Sequence, residues 1–262
     1  MPATVSPSKP WRRRKGQFKI DQIFVKIILS SAIALIFTPN LYSITRIKDP
    51  QTSINIKPSF TVMLAPTGDA HQTGRIIQNS FERWIAFECA RTIKETIELA
   101  APQIKVVLSR ASGDVLEPLQ VANFCNRLNA DLCISLHFCQ EAGIKPTYTL
   151  YHYANNTDFL PPPSALSFCP VHRAHQYNQS QTTAWITQLK KVLKSGVYPT
   201  QFTLMGPYRM PFAPLKGIIA PAMGIEISLK SDSDWRNSVA PLSEAIITIA
   251  GHATNHNSGN VR

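Results

Sequence analysis

Asp131-Leu132-Cys133-Ile134-Ser135-Leu136-His137 encloses five uncharged, mostly apolar residues between two polar ends. A strand that apolar belongs in the middle of a parallel sheet, where both faces are covered. Covering both faces requires helices, and the flanking sequence supplies the pattern for them. Phe81, Ile85, Cys89, Ile93 and Ile97 recur every four residues, predicting a helix over 79–99. Leu116, Leu119, Ala122 and Cys125 predict a second over 115–129, Trp185 to Leu193 a third over 180–195, and a last one covers 237–250. Phe60–Ala65, Ile104–Leu108, Tyr148–Tyr153 and Ala222–Leu229 read as further strands. Strand–helix alternation of this kind predicts an α/β fold, a doubly wound and mostly parallel sheet with helices on both faces. Ligands of such sheets gather at the carboxyl ends of the strands. The Pro-rich stretches 155–180 and 199–221 read as irregular, with Gly217-Ile218-Ile219 a candidate extension of a strand. They are candidate lids or substrate walls.

Charge is concentrated at the N-terminus. Of 27 Lys+Arg and 16 Asp+Glu, residues 1–50 hold nine and two, which leaves eighteen against fourteen for the rest. That modest remainder, with no interleaved aromatic and basic stripe, argues against a nucleic-acid surface. Residues 1–22 form a basic n-region containing Trp11-Arg12-Arg13-Arg14-Lys15, and 23–38 form an apolar h-region. The pattern is that of a signal peptide or membrane anchor. The charge-free run Ile27–Phe37 falls short of the roughly 20 residues that span a bilayer, and Ile23–Val25 with a snorkelling Lys26 extend it. Residues 39–58, with Pro39, Pro50 and Pro58, read as a linker, 59–255 as the α/β domain and 256–262 as a polar tail. The expected location is periplasmic or otherwise extracytoplasmic, secreted or anchored to the inner membrane. Five cysteines without a C-x-x-C pair argue against a disulfide framework.

Three polar residues sit where that sheet would place chemistry. His137 closes the third strand, Glu226 lies inside the apolar Gly224-Ile225-Glu226-Ile227, and Glu82 opens the first long helix. A carboxylate inside a buried strand is costly unless a cation or donor meets it. Each residue also has a plain reading: a hydrogen-bonded strand-end histidine, or a glutamate favouring a helix N-terminus. His152, His172, His175, His252 and His256 read as strand, loop or tail residues.

The chain resembles the zinc-dependent N-acetylmuramoyl-L-alanine amidases. Leu108-Ser109-Arg110 and Ala130–His137 are similar to that family's "LTR … ADLFISIH", at a matching interval. Val62–Pro66 resembles the strand leading into its "DPGHGG" loop, Pro221–Asp232 its "PAVLVEIGFLSN", and Leu242–Ile246 its closing "LAEAI". The resemblance runs from about Phe60 to Ala253, and implies an amidase-like, phosphorylase/hydrolase-like α/β domain. It implies one zinc ion held by Glu82, His137 and a first-loop histidine, with Glu226 as acid/base. It departs at that first histidine, where the direct alignment holds Gly68; His71, three residues on, is the candidate substitute and Asp69 another oxygen donor. A catalytic zinc takes about three protein ligands and keeps a fourth position for water.

The implied function is zinc-dependent cleavage of the N-acetylmuramoyl–L-alanine bond of peptidoglycan in cell-wall turnover. The alternative is an inactive amidase-fold protein that binds peptidoglycan or a partner protein. Implied partners are peptidoglycan, the membrane through the N-terminal segment, and a protein activator.

Overall fold

A computed structural model describes residues 60–258, apart from 118, 144, 157 and 161–168. The predicted n-region, h-region and linker, and the end of the polar tail, lie outside the described residues. None of the described helices is long and apolar enough to cross a membrane.

The strands are β1 (Phe60–Pro66), a short hairpin of β2 (Ile76–Ile77) and β3 (Ser80–Phe81), β4 (Ile104–Leu108), β5 (Leu132–Gln140), β6 (Thr147–Tyr153), β7 (Thr203–Met210) and β8 (Ala222–Leu229). The α-helices are α1 (Glu82–Ala100), α2 (Gln120–Leu128), α3 (Gln179–Leu193), the single turn α4 (Tyr198–Gln201) and α5 (Val239–Ser258). Six strands make one sheet in the order β4-β1-β5-β8-β6-β7. The first four run parallel; β6 pairs antiparallel with β8, and β7 runs parallel to β6. The expected doubly wound, mostly parallel sheet is thus present, with β5 near its centre.

Side chains alternate across a strand, and that alternation sorts the core. Val62, Leu64, Leu132, Ile134, Leu136, Phe138, Ile225 and Ile227 face α1, α3 and α5, in one cluster with Ile85, Cys89, Ile93, Ile97, Trp185, Leu189, Leu242 and Ile249. Met63, Cys133 and Ala222 face the other side, packed with Ala122 and Cys125 of α2 and with Leu215 and Ile218. The first face carries most of the buried apolar mass. The second is closed largely by one short helix and the 212–218 loop, which leaves room for polar groups at the strand ends. All five cysteines are free thiols.

The structure departs from the sequence pattern in several places. β5 runs on to Gln140, so His137 lies inside the strand rather than closing it, and α5 runs to Ser258 rather than stopping at 250. Phe81 does not join the helical stripe: it is the N-cap of α1 with extended backbone, and its ring is exposed. The second helix starts at Gln120 rather than 115, because Leu119 takes left-handed backbone that an α-helix cannot include. A strand, β7, forms at 203–210 inside the Pro-rich stretch, while Gly217–Ile219 does not join the sheet. Edge position makes this feasible: β7 pairs only with β6, so the missing N–H of Pro207 breaks no second ladder. Opposite it, the register with β6 shifts between Thr149 and Tyr151.

Candidate functional site

The register of β5 on β8 places His137 directly beside Glu226. Period-two alternation turns both side chains to the sparsely covered face, with Ser135 and Gly224 one pleat earlier. Glu82 reaches the same place as the first residue of α1. Its Oε1 accepts a hydrogen bond from the N–H of Phe138 (2.9 Å) and its Oε2 accepts from the N–H of Arg75 (3.1 Å). The Glu82 N–H in turn donates to the Arg75 carbonyl (2.8 Å). Gly74 allows the loop to lie this close: it has positive φ, and a Cβ there would sit 2.8 Å from Glu82 Oε2. The buried Glu82 carboxylate therefore pins the loop before the hairpin to β5 at Phe138.

His137 Nδ1 lies 3.9 Å from Glu82 Oε1, and Nε2 shares a 2.8 Å hydrogen bond with Ser135 Oγ. Phe212 meets the imidazole edge-on, centroids 5.1 Å apart. Burial pushes the imidazole down to about 4, so it is neutral at physiological pH. Beside it opens a cavity of about 180 Å³ between the ends of β1 and β5, bordered by Pro66, Gly68, Ser135, His137, Pro214 and Lys216.

Glu226 is the half-buried centre of a polar group. Arg75 Nη1 donates to its Oε1 at 2.5 Å and to the Phe138 carbonyl at 3.3 Å, while the Tyr151 hydroxyl donates to Oε2 at 2.9 Å. Burial alone would raise the carboxyl pKa, but the Arg75 and Tyr151 hydrogen bonds outweigh it and hold Glu226 below the usual carboxylate value. Tyr151, by burial and by its carboxylate partner, is pushed up to about 12 and stays a donor. Arg75 is held above its usual value despite burial, chiefly through its bond to Glu226.

His71 does not join this group. It is exposed on the loop after β1, and its N–H caps Asp69 Oδ1 (2.7 Å). Asp69 is committed to the same loop, accepting also from Gln72 N (2.6 Å) and Leu116 N (3.1 Å). At Gly68, which has φ +73°, a Cβ would fall 2.7 Å from Arg83 Cβ and 2.9 Å from the Gln72 carbonyl. No group of three or more His, Cys, Asp or Glu side chains among the described residues is placed to hold a metal ion. Glu82 and His137 are two donors; a catalytic zinc takes about three. The residues in place do not fit such an ion.

Sequence reasoning did not anticipate Arg75, Ser135, Tyr151 or Phe212. Tyr151 had a usable signal, since it occupies an alternate position on a strand next to the one carrying Glu226. Arg75 had none: its role depends on how the loop folds over Glu82. Of the other histidines, His152 is buried in β6 and His175 Nε2 lies 2.7 Å from Asp158 Oδ1.

A family model described as N-acetylmuramoyl-L-alanine amidase matches residues 62–240. The catalytic domain of CwlV, an N-acetylmuramoyl-L-alanine amidase from Bacillus (Paenibacillus) polymyxa var. colistinus, superimposes with a TM-score of 0.52 at 16% identity, covering 76% of this chain and 98% of that one. The N-acetylmuramoyl-L-alanine amidase AmiC2 of Nostoc punctiforme gives 0.51 at 14% identity, covering 76% and 99%. No protein of curated function matches the sequence.

Proposed function

The chain belongs to the N-acetylmuramoyl-L-alanine amidase family, and from that membership we propose that it acts on peptidoglycan, at the amide joining N-acetylmuramic acid to L-alanine. The observation that carries this reading is the convergence of Glu82, His137 and Glu226 on one face of the paired strands β5 and β8. The basic and apolar segments of residues 1–38 support a position outside the cytoplasm, where that polymer lies.

Hydrolysis adds water across the C–N bond: the carbonyl carbon gains oxygen, and a proton reaches the nitrogen that leaves as the free amine of L-alanine. Glu226 is assigned the transfer of that proton. Its ionised state suits acceptance from water, and Arg75 and Tyr151 fix its two oxygens. Of the donors that the family resemblance implies for a metal, Glu82 and His137 stand at this site. With His71 apart, that set is one donor short.

A second reading, binding of peptidoglycan without cleavage, is favoured by one observation: the carboxylate meant to carry the proton is ion-paired with Arg75. The full-length chain in mild detergent, mixed with purified cell-wall sacculi, separates the readings. The expected result is the appearance of new L-alanine amino termini together with co-sedimentation of the chain, with Glu226→Gln losing only the former. Co-sedimentation without cleavage by the parent would select the second reading. Neither signal would refute both.

A further inference from the structure

We propose that Arg75 is the resident cation of this site and competes with any divalent metal for it. The proposal rests on reading the β5–β8 face as the family's reaction site. Glu82 and Glu226 place two carboxylates next to the His137 imidazole, and such a group is costly without a positive partner. Carboxylates beside an imidazole are ordinary ligands of a divalent ion. Here the partner is already part of the chain.

Arg75 is held by more than its charge. Its N–H and carbonyl both bond to Glu82, and the glycine before it fits against the same carboxylate. From that anchor its side chain crosses to Glu226 Oε1 and the Phe138 carbonyl. Main chain and side chain together bridge the two acids that would otherwise attract a metal. Phe138 follows His137, so the guanidinium also lies along the His137 strand. Its side chain is half exposed, which lets it withdraw without unfolding the core. A metal drawn to Glu226 and His137 must displace this tethered guanidinium, whereas a chain lacking it leaves Glu226 with the Tyr151 hydroxyl and no cation.

The test is zinc binding by the untagged full-length chain in mild detergent, measured by calorimetric titration after chelator treatment, for the parent, His137→Ala, Arg75→Ala and Arg75→Ala/His137→Ala. Removing Arg75 is expected to tighten zinc binding by about tenfold or more, and adding His137→Ala to cancel that gain. Arg75→Gln, a shorter neutral side chain that keeps a hydrogen-bond donor, is measured beside them and replaces Arg75→Ala should that variant fail to fold by circular dichroism. Stoichiometric zinc in the parent that His137→Ala removes would overturn the proposal. So would folded Arg75→Ala and Arg75→Gln that bind zinc no more tightly than the parent. None of these outcomes depends on cleavage or sacculus binding, so failure here is distinguishable from failure of the peptidoglycan reading.

Discussion

Gly224→Ala tests whether the site's aromatic wall is as close-packed as it looks. A Cβ at Gly224 would lie 2.7 Å from Phe212 Cε1 and 3.0 Å from Cδ1. Carbon atoms rest at about 3.5–4.0 Å, so the ring must retreat by roughly 1 Å. Phe212 is stacked on Tyr151, centroids 4.8 Å apart with planes 5° from parallel, and meets His137 edge-on. The retreat therefore disturbs two residues of the polar group. Overpacking of this size costs about 1–3 kcal/mol, and the disturbed stack accounts for about 0.5–1.5 kcal/mol of that. In a Phe212→Ala background the clashing ring is gone. There Gly224→Ala should cost nothing, or gain up to about 0.5–1 kcal/mol, because glycine inside a strand is the poorer residue. Urea unfolding of the four proteins in this cycle, with equal m-values, gives the coupling directly. An equal cost of Gly224→Ala in both backgrounds would refute the reasoning, since the obstacle would then be the strand itself.

Three shorter predictions follow from burial and charge. Ile93→Ala, in the fully buried stripe of α1, should lower stability by about 2–5 kcal/mol in the same urea assay. Glu226→Gln should change it by less than about 1 kcal/mol, because the Arg75 partner is half exposed and screened by solvent, so loss of cleavage in that variant cannot be attributed to unfolding. His152 is buried with its pKa lowered, mainly by burial, from 6.5. A folded-state value below the unfolded one means its contribution is complete above pH 6.5 and is lost as pH falls through the lowered value. Thermal melts should therefore drop more steeply between pH 7 and 5 for the parent than for His152→Phe.

The fold was legible because its strands obey two simple patterns. β5 and β8 read as apolar runs since both faces are covered, and α1 reads as a four-residue stripe since one face of it is. β7 was not legible: its residues are mostly exposed, it pairs along one edge only, and its proline, Pro207, argues against a strand wherever a second ladder is needed. In the site, His137 and Glu226 were visible as polar residues in apolar strands, and Glu82 as the acid at a helix start. Their meeting required the register, which sequence spacing does not supply. Arg75 was invisible for a stronger reason. Its side chain reaches Glu226 across 151 positions of sequence, through a loop whose path depends on Gly74 and Glu82.

That loop also decides what would follow from restoring a histidine at position 68. The substitution Gly68→His places the family's residue type back in the aligned position, and on sequence grounds it should complete a zinc set with Glu82 and His137. The structure predicts otherwise. Position 68 has φ +73°, a conformation that costs a residue with a Cβ about 1–2 kcal/mol. The new Cβ would meet Arg83 Cβ at 2.7 Å and Arg83 Cα at 3.2 Å. Those atoms belong to the second residue of α1, whose first residue is fixed by both carboxylate oxygens, so they cannot yield cheaply. Thr67 N–H, bonded to the Leu136 carbonyl at 3.0 Å, ties the other side of the loop to β5. Gly68→His should therefore lower the melting temperature and leave zinc affinity at the parent level while Arg75 is intact. Stoichiometric zinc in Gly68→His at an unchanged melting temperature would show that the loop is free to move, and that the missing donor is the family's only departure that matters.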